Sequence, residues 1–259
     1  MWDYDDIDRW GPVLRQHIAP MFHADIEHIL AEAAPEFVED ACDLLLDHLL
    51  VPREALASAL VDWIAAQTVA AYHGTRLTED EVADVRRNGL RRLAAVDREP
   101  RLRRALSRHP CWSEVEGQLT TAIDHFGPGN GCGRREGQVH ATLSRAGLVD
   151  GFNHYIGHGS EFDQRVAQHL LGDDGLDLLA VDGDQYVIKL AVPGTVALQA
   201  NNPFRFDHED FQDMIRHLLQ AWAFKLAFPE WQCASMRIDS GLIFYDDVPA
   251  EWIFEIARL

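Results

Sequence analysis

The sequence predicts an α+β fold, with helices in the first quarter of the chain and most strands in the last third. Apolar residues recur at helical spacing up to about residue 67. The stretch "TVAAYHGT" then combines β-branched, small and aromatic residues, as strands do. Later segments such as "DQYVIKLAVPG" alternate apolar and polar residues. Helices mixed with antiparallel strands define the α+β class.

Residues 1–67 are predicted to form a helical N-terminal region, followed by a second domain over residues 68–259. "PEFVEDACDLLLDHLL" carries apolar residues at spacings of three and four, and Pro52 is suited to opening the next helix. No two histidines of this region stand at i, i+4 around a carboxylate, so no metal site is predicted there.

Composition limits the classes of partner. The chain of 259 residues has 23 basic and 42 acidic residues, a net charge of -19. This charge opposes contact with a phosphate backbone, so bulk nucleic-acid binding is not expected. The four cysteines form no CxxC pair, which argues against a zinc knuckle or a disulfide framework. No signal-peptide pattern and no membrane-spanning apolar run is present, so we expect a cytoplasmic protein without a membrane partner.

The stretch "HGTRLTEDEVADVRRNGL" carries the strongest local signal in the chain. Thr78 followed by Glu81 is a capping box, which predicts a helix that starts at Glu79. Asn88 and Gly89 supply the residue with positive φ that ends many helices. The sequence therefore predicts a strand that turns directly into a short helix.

His73 and Thr75 would share one face of this strand, because side chains alternate along it. A neutral imidazole can donate and accept hydrogen bonds at a sugar diol, and Gly74 allows close approach of a flat ring to the backbone. The alternative is a strand histidine satisfied by a neighbouring carbonyl group.

The "YHGT…GL" pattern resembles the first strand and helix of the ADP-ribosyltransferase superfamily, in particular the branch of poly(ADP-ribose) polymerases and tRNA 2′-phosphotransferases. The resemblance covers about residues 70–259, although only this motif is specific. It implies a split antiparallel β core with an N-terminal helical extension, and NAD as substrate without a metal. By the same resemblance, His73 would hold a ribose hydroxyl, Gly74 would pair with the nicotinamide amide, and Thr75 would support His73.

The segment "FNHYIGHGSEFDQRVAQHLLG" predicts a turn followed by a helix. Ser160 is a good N-cap, and the helix dipole favours an anion at Glu161 in the first turn. The inward stripe of this helix is predicted to consist of Phe162, Val166, His169 and Leu170.

By its order in the chain, this helix start resembles the family segment in which a serine binds the nicotinamide amide and an aromatic ring stacks on nicotinamide. The resemblance implies Ser160 for the first role and Tyr155 or Phe162 for the second. It adds Tyr72, next to the histidine, and His140, on the next predicted strand, to the residues expected to bind NAD.

Cleavage of NAD between ribose and nicotinamide passes through an oxocarbenium-like state, so a facing carboxylate lowers the barrier. Glu161 is the first candidate because it lies in a glycine-bounded turn near the expected cleft. Its structural alternative is an anion at a helix start. Asp239, at the tip of a predicted hairpin, is the second candidate. Four later glutamates have surface or helix explanations: Glu209, Glu230, Glu251 and Glu255.

Basic residues are bunched between Arg86 and His109. A solvated helix surface explains such a run, and one positive face is the functional alternative. If the run is functional, its ligand would be the NAD pyrophosphate or an acidic, antitoxin-like partner. The glycine-rich "GPGNGCGRREG" lacks the GxGxxG spacing and predicts a mobile loop, or a loop that closes over the cofactor.

The remaining elements complete the α+β pattern. In "GQVHATLSRAGL", Val139 and Ala141 alternate with His140 and Thr142, as in a half-buried strand. The strand "DQYVIKLAVPG" is predicted to stop at Pro193-Gly194, and "TVALQA" follows it in the strand-rich last third. "MRIDSGLIFYDDVPAEWIFEIARL" predicts a hairpin around residues 239–241 followed by a closing strand. "HEDFQDMIRHLLQAWAFKLAF" predicts an amphipathic helix with an inward face of Phe211, Ile215, Leu218, Trp222 and Leu226.

The function predicted from the resemblance is NAD-dependent ADP-ribosylation of an unknown macromolecule or small molecule. A role as a toxin or a bacterial defence effector is an association with the family. Two alternatives remain open. A tRNA 2′-phosphotransferase-like enzyme would need a basic RNA pocket, which the acidic composition opposes, and a non-catalytic binding module would keep the fold without the carboxylate.

Overall fold

A computed structural model describes residues 1–127, 136–151, 154–201 and 212–259 of the chain. Helices and a five-stranded antiparallel sheet make up an α+β fold, which confirms the predicted class. The strand order in the sheet is β4-β2-β1-β3-β5. The strands are β1 (Thr68–Leu77), β2 (Val139–Thr142), β3 (Asp184–Pro193), β4 (Gly241–Phe244) and β5 (Ile253–Arg258).

The described helices confirm that the chain is helical up to Ala65 and that helical structure resumes from Glu99, with a break around Pro110. Short 3-10 turns connect several of them. The α-helices are α1 (Ile7–Ile18), α2 (Ile26–Ala33), α3 (Val38–Asp47), α4 (Arg53–Ala65), α5 (Glu79–Asn88), α6 (Glu99–Leu106), α7 (Trp112–Val115), α8 (Leu119–Phe126), α9 (Arg145–Asp150), α10 (His154–His158), α11 (Glu161–Leu171), α12 (Asp173–Ala180), α13 (Gly194–Asn201) and α14 (Asp213–Ala227).

The described residues form two compact units. Unit 1 comprises residues 1–71, 142–151 and 191–242, and unit 2 comprises residues 72–141, 152–190 and 243–259. The boundary at residue 67/68 that the sequence predicts between a helical region and a second domain remains a prediction.

The core of unit 1 is built from its helices, with α14 packed against α2 and α3. Trp222 of α14 is fully buried, and its ring lies 5.8 Å from that of Phe22. Ile215 and Leu218, on the predicted inward face, are also buried, whereas Leu226 is half-buried. Phe211 lies outside the described residues.

The core of unit 2 is a helical cluster in which α11 packs against α8 and α12. Phe162 and Val166 are buried in it, as predicted. His169 was predicted in the same stripe, but it is exposed, and Asp163 and Ala167 are buried instead. The buried face is therefore rotated toward Asp163, whose charge is neutralised by ion pairs.

The capping box after β1 is present as predicted. The Glu81 N–H donates to Thr78 Oγ1 at 3.3 Å, and the Thr78 N–H donates to Glu81 Oε2 at 2.8 Å. Gly89 ends α5 with φ 81°. A Cβ at Gly89 would lie 1.9 Å from the Val248 carbonyl oxygen, so the glycine is required both by its φ and by this close approach.

The strand "DQYVIKLAVPG" ends at Pro193 as predicted, but the strand predicted for "TVALQA" is wrong, because residues 194–201 form α13. The Gly194 N–H donates to the Gln67 carbonyl at 2.9 Å, and a Cβ at Gly194 would lie 1.9 Å from the Ile64 carbonyl oxygen. The end of α4 therefore lies directly against the backbone at Gly194, where β3 ends. The following alanines, leucine and glutamine are good helix formers.

The predicted hairpin around residues 239–241 is also wrong. A hairpin there would need a strand before residue 239 to pair with β4, but residues Cys233–Met236 form a 3-10 turn instead. Helices of unit 1 hold the turn instead: Ser240 Oγ donates to Asp213 Oδ2 at 2.7 Å and accepts from Asn201 Nδ2 at 3.2 Å. Asp239 is therefore not at a hairpin tip. The predicted closing strand is confirmed as β5.

The capping box gives a test of the β1–α5 connection. Thr78→Ala removes the oxygen that accepts from Glu81, so the free energy of unfolding should fall by about 1 kcal/mol. Thr78→Ser is the matched control, because it keeps the oxygen and should retain most of that stability. Urea unfolding of the three proteins measures the difference. Equal losses in both variants would assign the effect to the threonine methyl group rather than to the cap.

Candidate functional site

His73 lies in β1, between buried neighbours, and is itself half-buried. Its Nδ1–H donates to the carbonyl oxygen of His140 in β2 at 2.7 Å. Burial lowers the pKa of His73 below its ordinary value, and the bond to the carbonyl offsets only part of this effect. The ring is therefore neutral near pH 7, with its proton on Nδ1 and a lone pair on Nε2.

Within the described ranges, no group forms a hydrogen bond with His73 Nε2. The alternative interpretation, in which a carbonyl group satisfies His73, thus explains only its Nδ1. The other nitrogen is an acceptor, held in a fixed orientation by the bond on the opposite side of the ring. Such an acceptor suits a hydroxyl donor.

Alternation along β1 separates the predicted NAD-binding residues into two sets. His73 and Thr75 are both half-buried and share one face, as predicted. Tyr72 and Gly74 point to the other face and are buried. The Lys189 ammonium lies 5.6 Å from the centre of the Tyr72 ring. Tyr72 therefore contacts β3 on the face opposite to His73.

His140 supplies its backbone to His73 and its side chain to a different contact. Its Nε2–H donates to Gln138 Oε1 at 2.8 Å. Val139 and Ala141 are buried and His140 is half-buried, as expected for the strand, but Thr142 is buried rather than exposed. The structure thus places His140 beside His73 through its carbonyl group.

The start of α11 has the predicted geometry. Ser160 Oγ accepts from the Asp163 N–H at 3.1 Å, which confirms the N-cap. The Tyr155 hydroxyl donates to Glu161 Oε1 at 3.2 Å. Glu161 is half-buried and is held by Tyr155 of the preceding helix. Phe162 is only 5% exposed inside the helical core, so Tyr155 is the aromatic ring that remains near Glu161.

Arg76 connects β1 with the helix that carries Tyr155. It is buried, and it donates to the Gly157 carbonyl at 3.4 Å and to the Gly183 carbonyl at 2.5 Å. Burial lowers the pKa of its guanidinium group, and nearby Asp184 partly offsets this effect. The strand with His73 and the turn before Glu161 therefore lie next to each other in unit 2.

A second connection runs through Arg101 of α6. Its Nη1 lies 3.4 Å from Glu81 Oε1, and its Nε lies 3.4 Å from Asp163 Oδ2. Glu81 belongs to the capping box after β1, and Asp163 belongs to the first turn of α11. The two segments that carry His73 and Glu161 are thus fixed to one buried guanidinium group.

The basic run between Arg86 and His109 is not a free positive face. Arg98 pairs with buried Asp163, and both Arg104 and Arg108 pair with buried Asp182. Other members of the run pair with acidic residues at the surface: Arg91 with Asp84, Arg92 with Asp247 and Arg103 with Glu99 and Glu116.

The acidic partners of these arginines were not predicted from the sequence. Arg98, Arg101, Arg104 and Arg108 are spaced by three or four residues, which places them on one helix face. That spacing indicates a shared set of partners. The partners themselves, at positions 81, 163 and 182, come from three distant segments and carry no local signal.

Asp163 has no exposed side-chain surface. Burial alone would raise the pKa of Asp163, but the ion pairs with Arg98 and Arg101 and the Ser160 hydroxyl hold it below its ordinary value. Asp163 therefore stays ionised and balances the positive charges of Arg98 and Arg101.

Within the described ranges, no three His, Cys, Asp or Glu side chains come together as a metal site requires. Among the same residues, no helix combines the length and apolar character needed to cross a bilayer. The glycine-rich segment predicted as a loop lies largely outside the described residues, and so does Cys132.

No family model, curated protein or solved structure matches the chain. A functional assignment therefore has to come from the chemistry of the residues themselves.

Removing the charge of Asp163 tests the network. Asp163→Asn leaves Arg98 without its buried counter-charge, so the free energy of unfolding at pH 7 should fall by about 3 kcal/mol or more. The pKa of Asp163 is lowered in the folded state, so its stabilising effect is complete above the unfolded pKa and is lost as pH falls through the folded value. The difference between wild type and variant should therefore shrink as the medium becomes acidic.

Urea unfolding at a series of pH values from neutral to acidic measures this difference. Asp174→Asn is the control, because the Asp174 side chain is 74% exposed and pairs with His109. It should change stability by less than about 1 kcal/mol. A loss for Asp163→Asn that does not depend on pH would contradict an ionised Asp163.

Proposed function

We propose that unit 2 binds NAD at the His73 face of β1 and that the protein is an ADP-ribosyltransferase. The observation that carries the proposal is the fixed, neutral His73, whose Nδ1 is bonded to the His140 carbonyl. The "YHGT…GL" resemblance supports the same role for this residue. The acceptor of ADP-ribose stays outside the proposal.

His73 Nε2 would accept a hydrogen bond from a ribose hydroxyl. A neutral acceptor suits a hydroxyl group, whereas a phosphate or carboxylate ligand would require a donor or a positive charge. Thr75, on the same face, would lie beside the ring and limit its rotation. The backbone of Gly74 would provide the close approach that a flat nicotinamide ring requires.

Glu161 would supply the carboxylate that faces positive charge developing on the ribose. The bond from the Tyr155 hydroxyl fixes the position of Glu161 Oε1. The Tyr155 ring would stack on nicotinamide. Ser160 would bind the nicotinamide amide through a group that takes no part in the N-cap bond. NAD itself supplies a ribosyl group whose bond to nicotinamide is already activated by the pyridinium charge.

Two structural links favour Glu161 over Asp239 in this role. Arg76 ties β1 to the carbonyl of Gly157, just before Glu161, and Arg101 bridges Glu81 and Asp163. Both links hold the start of α11 against the strand that carries His73. Asp239 belongs to unit 1, whereas both His73 and Glu161 belong to unit 2.

The first test is the loss of His73. His73→Ala should lower the rate of nicotinamide release from NAD at least about tenfold, equivalent to about 1.4 kcal/mol, because the hydroxyl loses its acceptor. His169→Ala is the matched control, since His169 is exposed on α11 and should leave the rate unchanged. Chromatographic detection of nicotinamide measures the rate. Unchanged release in the His73 variant would overturn the assignment of the NAD site.

The pH dependence of NAD binding follows from the protonation state of His73. Its pKa is lowered in the folded protein, so the ring stays neutral down to a pH below the ordinary value for histidine. NAD affinity should be constant from alkaline pH to that point and should fall as Nε2 becomes protonated. Calorimetric titration of wild type, with His73→Ala as the pH-independent control, measures this dependence.

A separate substitution tests the carboxylate. Glu161→Gln keeps the shape and removes the charge, so it should cost about 3 kcal/mol or more in the rate with little change in NAD affinity. Glu116→Gln, an exposed glutamate in the same unit, is the control. A near-normal rate with a small drop in melting temperature would reduce Glu161 to an anion at a helix start.

A further inference from the structure

Among the described residues, the strand β5 stands at an open edge of the sheet. It pairs with β3 on one side and stands last in the strand order. β5 is also the one described strand in which no residue is buried. Its Phe254 side chain is 63% exposed. Proteins usually protect such edges, because unpaired backbone groups beside apolar side chains attract other strands.

β5 carries two charged residues, Glu255 and Arg258, and the Lys189 ammonium of β3 lies 5.7 Å from the centre of its Phe254 ring, but other devices that protect an edge are missing from it. Its sequence is "IFEIAR", with no proline and no lysine. The register shift in its pairing with β3 falls between Lys189 and Leu190, opposite its first residues, and leaves the stretch from Glu255 to Arg258 regular. A regular edge of this kind accepts another strand by backbone hydrogen bonding.

The register of β3 and β5 shows which backbone groups are free. Leu259 N–H donates to the Gln185 carbonyl at 3.0 Å, and Tyr186 stands opposite Arg258. In an antiparallel ladder, hydrogen-bonded and non-hydrogen-bonded pairs alternate. Ala257 and Glu255 therefore bond toward β3, whereas Ile256 and Arg258 direct their N–H and C=O groups away from the sheet.

These outward groups are self-complementary. If two copies of β5 pair antiparallel with the axis at Ile256, this residue lies opposite the partner's Ile256, and Phe254 lies opposite the partner's Arg258. An apolar pair thus stands at the centre. On each side, Arg258, which pairs with Asp184 of its own chain at 2.7 Å, lies next to the partner's Phe254 ring. A register centred on Arg258 would instead place two arginines opposite each other.

We propose that β5 is a dimerisation edge, at which two copies of this chain join their sheets through antiparallel pairing centred on Ile256. The surface is a single strand from each copy, smaller than a standard interface, so the dimer is weak and depends on protein concentration. Each copy has a net charge of -19, so the two copies repel each other, and added salt screens that repulsion. The dimer should therefore strengthen as the salt concentration rises.

Sedimentation velocity of the full chain tests the dimer. Wild type should shift from monomer toward dimer as protein and salt concentrations rise. Ile256→Pro removes an outward N–H that β3 does not use, so it should abolish the shift while the protein still unfolds cooperatively. A wild type that stays monomeric under all these conditions would overturn the proposal, and so would a dimer that Ile256→Pro leaves intact.

Cysteine cross-linking tests the register without relying on proline. Exposed Cys111, and Cys132, are first replaced by serine. In this background, Ile256→Cys should form a disulfide-linked dimer with oxidised glutathione, because opposite residues of a hydrogen-bonded pair lie about 5.5 Å apart between Cα atoms. Phe254→Cys is the matched control. Its own copy would be four residues away along the strand, roughly 13 Å, which is too far for a disulfide.

A mixture of the Phe254→Cys and Arg258→Cys proteins should cross-link to each other, since these two positions face one another. Cross-linking of Phe254→Cys alone as readily as Ile256→Cys would exclude the register centred on Ile256. Failure of both Ile256→Cys and the mixture to cross-link would exclude the β5 interface. None of these results depends on NAD, so they separate this proposal from the proposed activity.

Discussion

The ion pairs of Arg101 are the constraint on which the rest of unit 2 depends. This buried guanidinium group lies 3.4 Å from Glu81 and 3.4 Å from Asp163. Glu81 also closes the capping box that turns β1 into α5, and the Asp163 N–H also donates to the Ser160 N-cap. One cation therefore sets the position of two helix starts. Displacing either carboxylate would leave a charge buried without compensation, which is far more costly than the loss of a surface pair.

Buried charge of this kind adds little net stability compared with an apolar core of similar shape, but it specifies one arrangement. Asp163 is fully buried and also pairs with Arg98, while Asp182 holds Arg104. Within unit 2, acidic side chains and the arginines of the run thus neutralise one another. Little positive charge in this run is left for a phosphate ligand. Binding of the NAD pyrophosphate is therefore a weak explanation for the arginines, and the His73 face is left as the proposed NAD site.

Local signals predicted the structure wherever the hydrogen bonds close within a few residues. The caps at Thr78 and Ser160, and the glycine that ends α5, depend on neighbours three or four positions away, and all three are present. Predictions failed where the deciding contact is distant. Ile64 lies close to Gly194, at the start of a helix where the local pattern predicted another strand, and the bond from Ser240 to Asp213 holds a turn where a hairpin was predicted. The acids that pair with the arginine run are equally distant in sequence.

The chemistry of His73 also depends on a distant contact. The sequence indicates a histidine on a strand, but its tautomer is set by the carbonyl of His140, 67 positions later. The hydrogen bond with the His140 carbonyl would favour a protonated imidazole, yet burial is the larger effect and lowers the pKa of His73. A protonated ring would offer two donors and select an anionic ligand. The neutral ring with its proton on Nδ1 offers an acceptor instead, and an acceptor selects a ligand that brings a hydroxyl group. The difference between these two ligand classes is decided by the pairing of β1 with β2, which fixes the proton on one nitrogen and leaves the lone pair on the other.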